Sequence, residues 1–386
     1  MKFLFATDGY PGFEGTKSGS GIGTFLAGLA DGLSAKGHEC HILTWGDAGA
    51  PASQMVGGVR VHLVTRGYWR LRDRLIPGWH DVAARRAAAR ALDHAHRFDW
   101  IEVESDEGVD IGIQRDFPKR TILRVHTTLN HMVAYKKTRR SRSARSSLDR
   151  ERRSILLAPR LVVSTAEHGA ELSRLFPGMR QPTVLPLGLK LGDGEQHRAY
   201  GGAPPEFLVV GTPDLRKGFD RIRPVLESYA RRYGPCRCAI VSDCGPASRA
   251  RFGLLDPLPS GIDLSWHSGL SDGEMSRRYR ESSVLLHLAR YESYGYPPIE
   301  AAARSTPVVA TRAGIAPSLL RGEWEHLLVD GDDPDECSRA LDVAVKEARR
   351  IGLALRDRFE REFSQTIAID KYLEYLGQID PRGDAT

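Results

Sequence analysis

The chain has 386 residues, 27% of them charged and 41% hydrophobic, with a formal net charge of +6. These are the proportions of a soluble globular protein long enough for two domains with separate cores, and they exclude a low-complexity chain. No stretch reaches the roughly 18–20 apolar residues of a membrane span.

Met1–Thr7 is apolar but only a strand long, and it leads into a glycine-rich loop rather than a signal-peptide cleavage site. The expected compartment is therefore the cytoplasm. The positive charge comes from 45 Arg against 10 Lys. It suits an enzyme that handles a diphosphate or works at an anionic surface. Nucleic acid is not an expected partner, because no zinc finger, RNP-like aromatic motif or basic zipper occurs. The five cysteines (Cys40, Cys236, Cys238, Cys244, Cys337) lack paired metal-knuckle spacing and read as reduced thiols.

In chain order, Lys2–Ala6 reads as a strand and Asp8–Ser20 as a glycine-rich loop. Gly21–Lys36 follows as an amphipathic helix with Ile22, Phe25, Leu26, Leu29 and Leu33 on one side, and Glu39–Thr44 as a second strand. Val59–Val64, Trp100–Val103, Thr121–Val125, Leu161–Ser164 and Thr183–Leu185 are further strands. Val82–Ala95 is a helix, and a long polar segment separates Val125 from Leu161. Leu189–Pro205, rich in glycine and polar groups, is the expected linker. A second alternating series then runs through Phe207–Gly211, Gly218–Tyr233, Cys238–Ser242, Asp263–His267, Asp272–Ser282, Val284–Leu288, Val308–Ala310 and Glu325–Val329. Short strands alternating with helices imply parallel, doubly wound sheets.

The most specific stretch is Arg290–Thr311. Glu292 and Glu300 stand eight positions apart, separated by a loop with Gly295, Pro297 and Pro298. Ile299–Arg304 is read as the helix after that loop. A strand, loop, helix start and strand in this order set loop amides and a helix dipole against an anionic ligand. The spacing, with Tyr-Gly-Tyr-Pro-Pro inside it and Thr-Pro-Val-Val-Ala-Thr behind it, resembles the Glu-x7-Glu signature of retaining glycosyltransferases of family 4.

The resemblance spans most of the chain and implies an α/β protein of GT-B fold, two Rossmann-like domains facing each other across a cleft. An acceptor-side domain would occupy residues 1–190 together with a C-terminal helix 366–386, and a donor-binding domain residues 200–365. It implies that Glu300 holds the nucleotide ribose and Glu292 sugar hydroxyls, with Ser293, Tyr294 and Gly295 near the diphosphate. Ser268–Asp272, with Leu270, is similar to the family's turn beside the nucleobase. Gly21-Ile22-Gly23 is similar to its glycine-rich helix start, facing the donor diphosphate. His126, just past a strand end, stands where the family's histidine touches the donor sugar. Gly211–Gly218 is similar to the family's Gly-Arg-Leu-x-x-x-Lys-Gly, with Lys217 matching and Thr212 in place of the arginine; Arg216 is the candidate replacement charge.

Lys217 is read as a surface lysine of the loop. Asp333-Pro-Asp335 is read as a helix N-terminus rather than a metal site, and no metal or cofactor is expected. The implied activity is metal-independent, retaining transfer of a hexose from a nucleoside-diphosphate sugar to an acceptor hydroxyl, UDP favoured over GDP. A nucleotide-sugar epimerase on the same fold and a non-catalytic binder of anionic polymers or membranes are the alternatives. Lys136–Arg153 carries nine Lys or Arg against Asp149 and Glu151. It is read as a loop or an exposed helix start that attracts an acidic acceptor or anionic lipid, the latter by peripheral contact at the inner membrane face.

Overall fold

The computed structural model describes residues 1–11, 21–46, 52–65, 78–136, 142–190, 204–245, 252, 254 and 258–379. Its elements are β1 (Lys2–Ala6), α1 (Gly21–Ala35), β2 (Glu39–Gly46), β3 (Ser53–Val56), β4 (Val59–Thr65), α2 (Trp79–His96), β5 (Trp100–Glu104), α3 (Ile111–Asp116), β6 (Thr121–Arg124), α4 (Leu129–Lys136), α5 (Arg142–Leu157), β7 (Leu161–Val163), α6 (Ala166–Leu175) and β8 (Thr183–Val184). There follow β9 (Glu206–Val210), α7 (Phe219–Tyr233), β10 (Cys236–Val241), β11 (Ile262–His267), α8 (Asp272–Glu281), β12 (Val284–His287), α9 (Tyr296–Ala302), β13 (Val308–Ala310), α10 (Ala316–Leu319), α11 (Pro334–Lys346), α12 (Ala348–Glu362) and α13 (Gln365–Gln378). They form two compact units: Met1–Gly188 with Gln365–Thr386, and Leu189–Ser364.

The first unit is built on a sheet ordered β3-β4-β2-β1-β5-β6-β7-β8, parallel except for β3, which pairs antiparallel with β4. Side-chain alternation along the strands serves two layers. Leu4, Leu43, Ile101, Leu123 and Val163 share one core with Ala89 of α2, Ile113 of α3, Ile155 of α5 and Leu172 of α6. Phe3, Glu102 and Arg124 instead meet Tyr372 of α13. This last helix buries Ala368, Ile369, Tyr372 and Leu376, one helical stripe.

The second unit holds a sheet ordered β11-β10-β9-β12-β13, with every pair parallel. Neighbouring β9 and β12 align Phe207 with Val284 and Leu208 with Leu285. The loops leaving their carboxyl ends therefore emerge side by side.

Four details differ from the sequence expectations. The polar segment before Leu161 contains α4 and α5. Along α5 the buried positions are Ser147, Leu148, Glu151, Ser154 and Ile155, so its inward stripe is largely polar and hides from an apolar-periodicity reading. Glu151 is turned inward to accept the backbone N–H of Leu129 at 2.8 Å, capping the start of α4. An additional edge strand, β3, reaches β4 through a Gly57-Gly58 turn. The Glu325–Val329 stretch, expected as a strand, lies mostly in a 3-10 turn, Gly322–Leu327, with one bridge from Leu328 to Ala310. Finally, α9 begins at Tyr296 rather than Ile299, because Pro297 and Pro298 sit in its first turn, where a missing N–H leaves no bond unmade. Among the expected basic residues, Arg139 and Arg140 lie outside the described residues, as do Ser20 and most of the linker.

Candidate active site

In the second unit, the loop between β9 and α7 is stitched to the loop between β12 and α9. The Arg216 carbonyl accepts the N–H groups of Arg290 at 2.7 Å and Tyr291 at 3.4 Å. The Arg290 guanidinium returns to the Leu215 carbonyl at 2.9 Å and pairs with Asp220 at 2.6 and 2.8 Å. Gly218 caps α7 with φ 72°, and a Cβ there would lie 1.9 Å from the Leu288 carbonyl oxygen. Only glycine allows the two loops this approach.

That stitching brings three charged side chains together. The Lys217 ammonium donates to one Glu292 carboxylate oxygen. Arg216 Nη1 lies 3.4 Å from the other and 3.3 Å from the Tyr291 carbonyl. Glu292 is 6% exposed and the Lys217 side chain 17%, so Lys217 is not the open surface lysine its loop position suggests. Burial raises the Glu292 pKa, but Lys217, His287 and Arg216 together outweigh it and leave the carboxyl below its ordinary value. His287 Nε2 stands 3.9 Å from Glu292 without a hydrogen-bond partner among the described residues. Burial, opposed by Glu292 and reinforced by Lys217 and Arg216, pushes this histidine down to about 4. It is a neutral imidazole at pH 7.

The next residues are held from behind. Tyr294 is buried, and its carbonyl accepts the Ile315 N–H at 2.7 Å. Gly314, at φ 58°, would place a Cβ 2.2 Å from that carbonyl oxygen. Ser293 is half-buried, and Gly295 is the N-cap of α9. Glu300 lies one turn into α9 and accepts the Tyr279 hydroxyl at 2.5 Å. Burial raises its pKa, only partly offset by Tyr279 and Arg304. Glu300→Ala is expected to weaken nucleotide binding about tenfold or more while leaving the fold intact, read by calorimetric titration with nucleoside diphosphates. Unchanged affinity would remove Glu300 from the site. Leu270 sits half-buried in the turn before α8, whose Ser271 and Glu274 form a capping box. Asp333 caps α11 by accepting the N–H groups of Asp335 and Glu336 at 2.9 and 3.0 Å, a helix start as expected.

The first unit holds the remaining candidates. Gly21, Ile22 and Gly23 form the first turn of α1, Gly21 exposed and Gly23 buried. His126 follows β6, is 5% exposed, and turns an Nε2 that has no hydrogen-bond partner among the described residues toward Glu104 Oε1 at 3.9 Å. Burial first, then Arg124 and His168, push it down to about 3. Close by, Thr7 donates to Glu104 at 2.9 Å, and Arg85 makes a bidentate pair with Asp110 at 2.9 and 2.8 Å. Sequence reasoning did not find His287, Tyr279, Glu104 or the Arg85–Asp110 pair. Each lies in or beside a regular element, and only tertiary contact distinguishes it; the strand-end position of His287 was the one available signal.

Residues 20–188 match the family model described as a glycosyl transferase 4-like domain, and residues 195–362 the one described as glycosyl transferases group 1. The D-inositol 3-phosphate glycosyltransferase of Thermobifida fusca is 24% identical over 379 residues, spanning 88% of this chain and 84% of its own. That of Streptomyces scabiei is 25% identical over 375 residues, spanning 85% and 79%. Among solved structures, sucrose-phosphate synthase from Thermosynechococcus elongatus superposes with a TM-score of 0.76 at 19% identity, covering 98% of each chain. Anabaena Alr3699/HepE, solved with UDP and glucose, gives 0.63 at 15% identity, covering 98% of this chain and 100% of its own. With the two matched regions following one another along the parallel α/β units described above, the chain belongs to the GT-B glycosyltransferases of the family 4 type.

Proposed function

We propose that the enzyme transfers a hexose, with retention, from a nucleoside-diphosphate sugar to an acceptor hydroxyl, with UDP the favoured nucleotide. The observation that carries this reading is the Lys217–Glu292–Arg216 cluster at the paired carboxyl ends of β9 and β12. Open α/β sheets take their ligands at that end of the strands. Two cations fixed beside a buried carboxylate stabilise charge that develops on a departing diphosphate. They supply at the phosphates what a metal ion supplies elsewhere, so the transfer is expected to proceed unchanged in EDTA. Glu300 takes the ribose hydroxyls. His126 offers a neutral imidazole to the sugar. Departure of the diphosphate on the same face as acceptor attack lets its oxygen take the acceptor proton. The experiment is a thermal-shift screen of UDP, GDP and ADP, followed by chromatographic detection of sugar transferred from the matching donor. Conversion of the free donor sugar without transfer would favour epimerisation instead.

We place the acceptor in a cavity of about 300 Å³ between α2, α3 and α5 of the first unit, where Trp79, Val82, Ile111, Arg115, Arg150 and Arg153 line it together with Ser146 and a single acid, Asp149. An aromatic face with several guanidinium groups suits a sugar-like acceptor bearing an anionic group. The relatives named for D-inositol 3-phosphate are compatible with a phosphate there. Arg115→Ala with Arg153→Ala is expected to raise the acceptor KM about tenfold or more and leave donor affinity unchanged. On the outer side of α5, Arg145 and Arg152 are exposed; if anionic vesicles of phosphatidylglycerol fail to bind the protein at low salt, the basic segment serves the acceptor alone. No helix among the described residues is long and apolar enough to cross a membrane.

A further inference from the structure

At the opposite end of the first unit's sheet, three histidines from three separate elements converge. The parallel register of β2 and β4 sets His41 beside Arg60 and Leu43 beside His62, so His41 and His62 project from the same face one pleat apart. Their rings stack with centroids 5.0 Å apart, and His41 Nδ1 lies 2.9 Å from His62 Nε2. His96, the last residue of α2, brings a third ring to 4.3 Å from His41 and 5.9 Å from His62. One ring nitrogen from each residue lies within 4.8 Å of the others. We propose that His41, His62 and His96 bind a divalent transition-metal ion of the zinc class, with water completing a tetrahedral shell.

The chemistry of the donor set fits. Zinc takes imidazole nitrogens at about 2.0–2.1 Å, which puts ligand nitrogens about 3.3 Å apart in a tetrahedron. His41 Nδ1 and His62 Nε2 are 2.9 Å apart and one nitrogen of each of the three rings lies within 4.8 Å of the others, so the shell needs only ring rotations, for which His96 sits at the end of its helix. Glu39 Oε1 lies 2.9 Å from His41 Nε2, so that nitrogen carries the proton donated to the carboxylate. Its Nδ1 therefore keeps a lone pair directed at His62. A carboxylate behind a ligating histidine is the arrangement that fixes tautomer and ring orientation at metal centres. Phe98 packs edge-on against His41 at 5.1 Å and shields one side.

The site lies near the start of β2 and at the C-terminus of α2, away from the strand ends that carry His126 and the first turn of α1. Its ion would tie two strands and a helix end together, a staple rather than a participant in transfer. The test uses untagged full-length protein, stripped with chelator and dialysed. Zinc titration by calorimetry is expected to show one site per chain, and cobalt(II) to give the visible absorption of a four-coordinate nitrogen site. Bound zinc is expected to raise Tm while the transferase rate at 25 °C stays unchanged. His96→Gln and His62→Gln are each expected to weaken binding at least tenfold, and Glu39→Gln about 10–100-fold. Because His96 is at a helix end, its variant keeps the fold, which far-UV circular dichroism checks. Absence of saturable zinc binding, or binding equally tight in His96→Gln, would overturn the proposal.

Discussion

Glu292→Gln is expected to lower kcat by about 30- to 1000-fold, a loss of about 2–4 kcal/mol of transition-state stabilisation. The amide keeps the size of the side chain and one oxygen acceptor. It removes the negative charge that draws Lys217 and Arg216 to one point. Without that charge the two cations are no longer set where a diphosphate would leave, so the transition state suffers more than the bound donor. Donor KM should therefore change less than kcat. Lys217→Ala is expected to act differently: it slows transfer and also destabilises, because the 6%-exposed Glu292 is left with the 3.4 Å contact to Arg216. Combining the two substitutions should be strongly non-additive, since both disrupt one unit. Steady-state kinetics and urea unfolding on all three variants decide it. Near wild-type kcat/KM for Glu292→Gln would sink the donor-site reading.

The largest stability effect is expected at Arg124. Its guanidinium, 2% exposed, meets Glu102 at 2.5 Å and covers the Phe25 ring at 4.8 Å, while the Tyr372 hydroxyl donates to Glu102 at 2.7 Å. Arg124→Met leaves a buried carboxylate facing an apolar chain and is expected to cost about 3–5 kcal/mol. Adding Glu102→Gln should restore most of that loss, because the second substitution removes the stranded charge. Urea unfolding monitored by circular dichroism checks both variants. A single-variant loss below about 1 kcal/mol would show that water reaches Glu102.

The alternation of short strands with helices was legible, because buried parallel strands are near-continuous apolar runs: Lys2–Ala6 and Val308–Ala310 keep their expected bounds. Lys217 and Glu292 each stand out, but in two separate motifs, and the sequence carries no sign that they pair or that Lys217 is enclosed. Illegible features share a cause, which is satisfaction of a polar group by a distant partner. Glu151 inside α5, Tyr279 beneath Glu300 and Arg124 beside Glu102 all read as solvated surface until their partners are known. The prolines of α9 were read as loop because proline breaks a helix interior, whereas its first turn accepts them.

The docking of α13 on the first unit has a consequence for biosynthesis. Glu102 and the Tyr372 hydroxyl that donates to it are 270 residues apart, and the whole of Leu189–Ser364 is translated between them. At about 5–20 residues per second, the emerging N-terminal half waits on the order of tens of seconds before its covering helix leaves the ribosome. During that interval the seat of Ile369 against Gly32 of α1 is open, and Arg124 is Glu102's remaining partner. The nascent first unit therefore exposes the apolar seat of α13 to solvent, and that seat is closed only after the whole of the second unit has been translated.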